Sequence, residues 1–298
     1  MVVAVFHSMG SIVFYTLLAT AALLWYGTGR QPLASGYVFV RLLVVSPKHL
    51  LSFVALVLIL VLNKFEMRLE KLMPVHYDLT SALSGWEGSW QAGLQSAFHA
   101  DWLTLVCSFF YLVFFQAVLV ASLGIYAFMG SLRLYSAFCM AILLNYFIAV
   151  PMFLFVPVDE AWSVAPNIHF LLLETFPTFE AQYRHLSGLN NCFPSLHTSI
   201  SVTMALVAAR SGNRRWTWFA AANAAIILFS IFYLGIHWFT DMAGGFGLAA
   251  FAAWAGLKFG DRLAGSSSRA PRGKPARKRR WSPAPRPAGP WAGTNPQK

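Results

Sequence analysis

Charge is scarce in this chain. Asp, Glu, Lys and Arg make up 11% of its 298 residues, whereas 57% are hydrophobic. Soluble domains carry about a quarter charged residues, so the composition excludes an ordinary soluble globule and reads as an integral membrane protein. Cysteine is scarcer still. Cys107, Cys139 and Cys192 contain no Cys-x-x-Cys pair, which excludes a disulfide framework. The first two lie in apolar runs and read as small core residues; Cys192 reads as structural filler beside a polar turn. No internal repeat is present, and no Lys or Arg occurs between Arg133 and Arg184.

The charge that is present is unevenly placed. From Lys258 onward the chain holds eleven of its twenty-two basic residues and one acid, Asp261, so the net charge of +11 sits almost wholly in the tail. A nucleic-acid partner would rest on that tail alone and is not expected. Residues 259–298, rich in Ser, Pro, Gly, Arg and Lys, read as a disordered basic tail. Near an anionic lipid surface each Lys or Arg would add about 1 kcal/mol of attraction.

Apolar runs occupy Ser8–Tyr26, Tyr37–Asn63 (broken at Pro47-Lys48-His49), Trp102–Tyr126, Leu134–Val158, Ser195–Ala209, Trp216–Tyr233 and His237–Ala255. The first has no basic residue before it and Arg30 after it, which reads as an uncleaved span rather than a secretory signal. Residues 1–63 then form N-terminal spans, 64–101 an outer interfacial segment and 102–258 a membrane core. Within 64–101, Leu83, Trp86, Trp90, Leu94 and Phe98 recur at spacings of three and four, with Glu87, Gln91 and Gln95 on other faces. This predicts an amphipathic helix, lying in the membrane interface or packed over the bundle. His76, Asp78, Glu87 and His99 show no metal-ligand spacing.

Alternation of the spans sorts the loops onto two sides. One side collects eighteen of the twenty-two basic residues, the other nine of the eleven acids. By the positive-inside rule the basic side, with Arg210–Arg215 and the tail, is cytoplasmic. The expectation is a multi-pass protein of the cell membrane whose acidic loops face outward.

Two polar turns open apolar runs on that outer side. Phe193-Pro194-Ser195-Leu196-His197 opens the fifth, and Tyr233-Leu234-Gly235-Ile236-His237-Trp238-Phe239-Thr240-Asp241 opens the seventh. Ionisable side chains at a membrane boundary are costly and mark functional sites. His237 and Asp241 are four apart, so on a helix starting near His237 they share a face. A carboxylate there can hold the Nδ1 proton and leave Nε2 free as a nucleophile; His197 can protonate a leaving oxygen. By ligand type alone, His197, His237 and Asp241 could instead hold zinc, with water in the fourth position. A transporter or flippase could use the same pocket without chemistry, although such proteins usually show two repeated halves.

The pattern Pro194-Ser195-Leu196-His197, then Ser230-x-x-Tyr233-Leu234-Gly235-x-His237-x-x-x-Asp241, resembles the membrane-bound type 2 phosphatidic acid phosphatase superfamily. The bulky Leu196 and the lack of arginine after Ser230, where Ile231 stands, resemble its inositol phosphorylceramide synthase branch of lipid phosphotransferases. The resemblance implies an all-α membrane fold: a six-helix bundle, here with an extra N-terminal span for about seven. It implies metal-independent, cofactor-free cleavage of a lipid phosphate ester in the bilayer through a phosphohistidine. His237 would be the nucleophile, Asp241 its orienting partner and His197 the general acid. Ser195, Leu196, Gly235 and the open amides at both helix starts would bind phosphate. Arg184, the only arginine in the outer loop beside the site, would replace the family's basic clamp.

Overall fold

A computed structural model describes residues 4–70 and 78–268. His76 and the expected disorder of 269–298 lie outside the described residues. The described chain is all-helical. Its long helices are α1 (Met9–Thr28), α2 (Pro32–Val45), α3 (Pro47–Glu70), α4 (Thr80–Phe98), α5 (Asp101–Phe128, with a π-helical turn at Phe110–Phe114), α6 (Leu132–Phe155), α7 (Leu196–Ala209), α8 (Arg214–Tyr233) and α9 (Phe239–Ser268).

Five of them, α1, α5, α6, α8 and α9, are long and apolar enough to cross a membrane, the pattern of a multi-pass membrane protein. The other two expected spans differ from expectation. The second is broken: α2 and α3 meet at 103°. Proline has no N–H and disfavours helix in the residue before it, so Pro47 starts α3 while Ser46 stays extended. Counted as one span, this pair makes six. The fifth apolar run is only the 14-residue α7. At the other end, α9 continues to Ser268, past the expected core boundary at residue 258.

The helix ends follow local chemistry. Ser8 and Ser11 form a reciprocal capping box that starts α1, and Gly29, at φ 67°, stops it in the left-handed conformation. Ser131, Ser195 and Asn213 cap α6, α7 and α8 through their side chains. The most extensive pair is α6 with α9. Gly256 and Gly260 make that approach possible, since a Cβ on either would stand 2.5 Å from the Ala137 carbonyl oxygen or 2.3 Å from that of Arg133. α7 is enclosed by α6, α8 and α9, which buries the hydroxyls of Thr198, Ser199, Ser201 and Thr203 with it.

α4 buries its polar residues along with part of its apolar stripe, Leu83. Glu87, Gln91 and Gln95 are buried against the bundle, whereas Trp86 is 75% exposed and Trp90 and Phe98 are about half exposed. The polar face turns inward because the loops beneath it offer backbone groups that need partners.

Candidate active site

His197 is the second residue of α7, and His237 sits two residues before α9. Two contacts bring their turns together. The Ser195 N–H donates to the backbone carbonyl of Asp241 at 3.0 Å. On the facing helix, Gly244 and Gly245 leave no room for a Cβ, which would lie 2.8 Å from the Phe193 ring and 2.7 Å from the Ser195 carbonyl oxygen, respectively. The two imidazole rings consequently lie 5.8 Å apart, centroid to centroid. Both line one cavity of about 320 Å³.

Each ring is held. Asp241 Oδ2 accepts from the Trp238 N–H at 2.9 Å and lies 3.4 Å from His237 Nδ1. A proton carried on Nδ1 would face that carboxylate and leave Nε2 as the bare ring nitrogen. Gly235, at φ 80°, makes the turn that delivers His237, and a Cβ there would meet the His169 carbonyl oxygen at 2.6 Å. His197 stacks between Tyr111 and Phe115, with ring centroids at 4.6 and 4.7 Å. Both rings come from the π-helical turn of α5 and the residue after it, the kind of helix irregularity that recurs at functional sites.

The expected phosphate ligands divide. At the start of α7 the amides of Leu196 and His197 have no intrahelical acceptor and none elsewhere among the described residues. Ser195 is buried, its hydroxyl accepting from the Thr198 N–H. At the start of α9 the expectation of open amides fails. The Glu87 carboxylate accepts from the Phe239 N–H at 2.5 Å, from the Thr240 N–H at 3.2 Å and from the Thr240 hydroxyl at 2.5 Å. Gly235 spends its N–H on Phe232 and its carbonyl on Trp162, so it supplies the turn and no free donor.

Arg184 is also committed. It donates to Glu160 at 2.8 Å, to Glu180 at 2.8 and 3.0 Å and to the Gly188 carbonyl at 2.7 Å. Its guanidinium lies over Trp162, Phe170 and Phe179, and it does not line the cavity; Glu160 does. Burial pushes the Glu160 carboxyl up, and Arg184 pulls only part of that back. Tyr111, Tyr146, Tyr183 and Asn191 supply much of the remaining polar wall, and no Lys or Arg lines it among the described residues.

Sequence reasoning missed the grip of α4 on the second turn. Besides Glu87, Gln91 donates to the carbonyls of Phe232 and His237 at 3.0 and 3.1 Å. Gln95 donates to His169 and Tyr233 at 2.8 and 2.9 Å. The signal was present as polar residues at i, i+4 and i+8. Among the described residues, the groups placed to hold a metal are Cys192, His237 and Asp241; His197, which ligand type alone allowed in such a set, is not among them. Neither curated proteins nor solved structures gave a match. The family model described as the PAP2 superfamily matches residues 80–255, from the first residue of α4 into α9 and over more than half of the chain. The chain belongs to the PAP2 superfamily.

Proposed function

We propose that the protein cleaves a phosphate ester of a membrane lipid through a phosphohistidine on His237. Membership of the superfamily suggests phosphatase or phosphotransferase activity. The observation that carries the reading is two histidines on one cavity, one of them paired with a buried carboxylate. His237 Nε2 attacks phosphorus while Asp241 steadies the imidazole through Nδ1–H. His197 gives its proton to the departing oxygen, and the P–O bond breaks. The Leu196 and His197 amides, at the positive end of α7, take the phosphoryl charge. His197, now a base, deprotonates water or an alcohol, which takes the phosphoryl group and restores His237.

The cavity wall favours the phosphotransferase branch. A phosphomonoester brings about two negative charges near neutral pH, and the lining meets it with a carboxylate and no Lys or Arg. A phosphodiester brings one, which suits a single helix start of about half a positive charge. The alcohol acceptor then receives a substituted phosphoryl group. The basic skew of the loops supports an outward-facing site.

The test is to incubate purified protein, stripped of metal with EDTA, with a lipid phosphodiester labelled at phosphorus, and to quench in alkali. Acid-labile label on His237, with turnover unchanged by EDTA, is expected. A transporter would show uptake without labelled protein. A zinc-hydroxide mechanism would lose its rate on chelation.

A further inference from the structure

Cys192 is a side chain at the heart of the site to which phosphoryl transfer gives no task. It lines the cavity and is buried. Its thiol makes one long contact, 3.8 Å to the Ile236 carbonyl oxygen. Its sulfur, a ring nitrogen of His237 and a carboxylate oxygen of Asp241 lie within 4.8 Å of one another. A second observation falls at the same place. Asp241 Oδ1 is buried with no hydrogen-bond partner, although Oδ2 is engaged by Trp238 and His237. A buried acceptor left empty needs an explanation, and an ion is one of the few available.

The three residues are held by separate anchors. The Cys192 N–H donates to the Val158 carbonyl at 3.1 Å, and the His237 N–H to that of Ile231 at 3.1 Å. Asp241 is fixed on the first turn of α9. The cluster is thus preformed, and the cavity that Cys192 and His237 line gives an ion a way in.

We propose that Cys192, His237 and Asp241 form an inhibitory site for a soft divalent cation of the zinc type. A thiolate, an imidazole and a carboxylate are the mixed donors zinc accepts. Calcium takes six to eight oxygens and magnesium keeps several waters, so neither suits a three-ligand set containing sulfur. Zinc bonds of about 2.0–2.3 Å put tetrahedral ligands roughly 3.3–3.8 Å apart, so the three atoms close in by up to about 1 Å. Water fills the fourth position from the cavity. On binding, the Cys192 thiol proton leaves to solvent, while His237 binds as the neutral imidazole and Asp241 as the carboxylate. The ion then occupies both residues that nucleophilic attack requires free. It blocks the reaction rather than assisting it.

The experiment uses the full-length protein, purified in detergent and stripped of metal, with cobalt(II) as a spectroscopic probe and zinc as the inhibitor. One equivalent of cobalt should give a thiolate-to-metal absorption band that zinc abolishes. Cys192→Ser should remove that band. It should also raise the half-inhibiting zinc concentration about tenfold or more, at least the loss seen when a ligand's outer partner is removed. Each protein is compared with its own metal-free rate. Cys107→Ser and Cys139→Ser should keep both properties. A band that persists in Cys192→Ser, equal zinc sensitivity of that variant, or no cobalt binding by the wild type overturns the site. If Cys192→Ser does not fold, Asp241→Asn serves, read by cobalt binding alone: affinity should fall about tenfold with the thiolate band retained, and unchanged affinity overturns the site. The cobalt arm needs no turnover, so failure of the phosphohistidine reading leaves it intact.

Discussion

The starts of α7 and α9 lie against each other and carry the same dipole, yet they treat negative charge in opposite ways. At α7 the amides of Leu196 and His197 stay open. At α9 a carboxylate from a different helix, Glu87, takes the Phe239 and Thr240 amides and the Thr240 hydroxyl, and Asp241 takes the Trp238 amide. A helix start is worth about half a positive charge and binds any anion that reaches it. Filling one start with the protein's own carboxylates leaves one start open to an anion. On the proposed mechanism the two histidines would then have different tasks: His237 lies at the filled start, beside Asp241, and His197 at the open one, where substrate charge would gather.

The strongest way to break this comparison is to delete the histidines. His237→Ala should lower turnover at least about a thousandfold and give no phosphoprotein, and His197→Ala should cost about a hundred- to ten-thousandfold. Wild-type turnover by either folded variant would end the assignment. Next comes Glu87→Ala, which empties the start of α9. Stability should fall by about 2 kcal/mol from part-buried amides and a hydroxyl left unpaired, and kcat by about tenfold as His237 loses its frame. Inorganic phosphate should inhibit this variant more strongly than the parent, because a second anion site has opened. Glu87→Gln keeps one carbonyl acceptor and should recover part of kcat. A Glu87→Ala protein with the parent's kcat and phosphate sensitivity would show that the filling of α9 has no catalytic consequence.

Much of this is legible in the sequence, and the rest fails for identifiable reasons. The i, i+4 spacing of His237 and Asp241 predicts their pairing, and the two do meet, although α9 begins only at Phe239 and His237 stands in the turn before it. Hydropathy locates the apolar helices, but a single proline decides that α2 and α3 bend, and the 14-residue α7 is apolar without being long. Glu87, Gln91 and Gln95 read only as the faces of an amphipathic helix away from its apolar stripe. Nothing local reveals that loops beneath them offer unpaired carbonyls and amides. Arg184 reads as a phosphate clamp by elimination, whereas Glu160 and Glu180, 24 and 4 residues away in sequence, claim its donors. Cys192 reads as filler because its neighbours, His237 and Asp241, come from a turn more than forty residues later.

A smaller effect sharpens the open half of the comparison. Ser195 both caps α7 and fixes it to Asp241 through its backbone N–H, which any side chain retains. Ser195→Ala should therefore cost only about 1 kcal/mol, the usual value of a lost N-cap, readable as a small drop in Tm. Ser195→Pro removes that N–H and should separate the two starts, with loss of activity well beyond the alanine variant. Equal activity of the two variants would mean the backbone link does not hold the site together.

The smallest effect on activity belongs to the test of which side these helix starts face. α8 runs 20 residues from Arg214 to Tyr233, about 30 Å of helix, enough to cross the hydrocarbon core. Its Tyr233 end adjoins the catalytic turn, so its Arg214 end reports the opposite face. Asn213 is a poor place for a probe, since its side chain caps α8 and donates to the Gly27 carbonyl. Arg210 is exposed and serves better. The three native thiols are buried, and burial pushes the Cys192 thiol well above the ordinary range, so the parent chain is the blank. Arg210→Cys should keep the parent's activity and react with a membrane-impermeant maleimide only after cells are permeabilised. Labelling in intact cells would place the basic turn outside and the two helix starts, with their lipid substrate, in the inner leaflet.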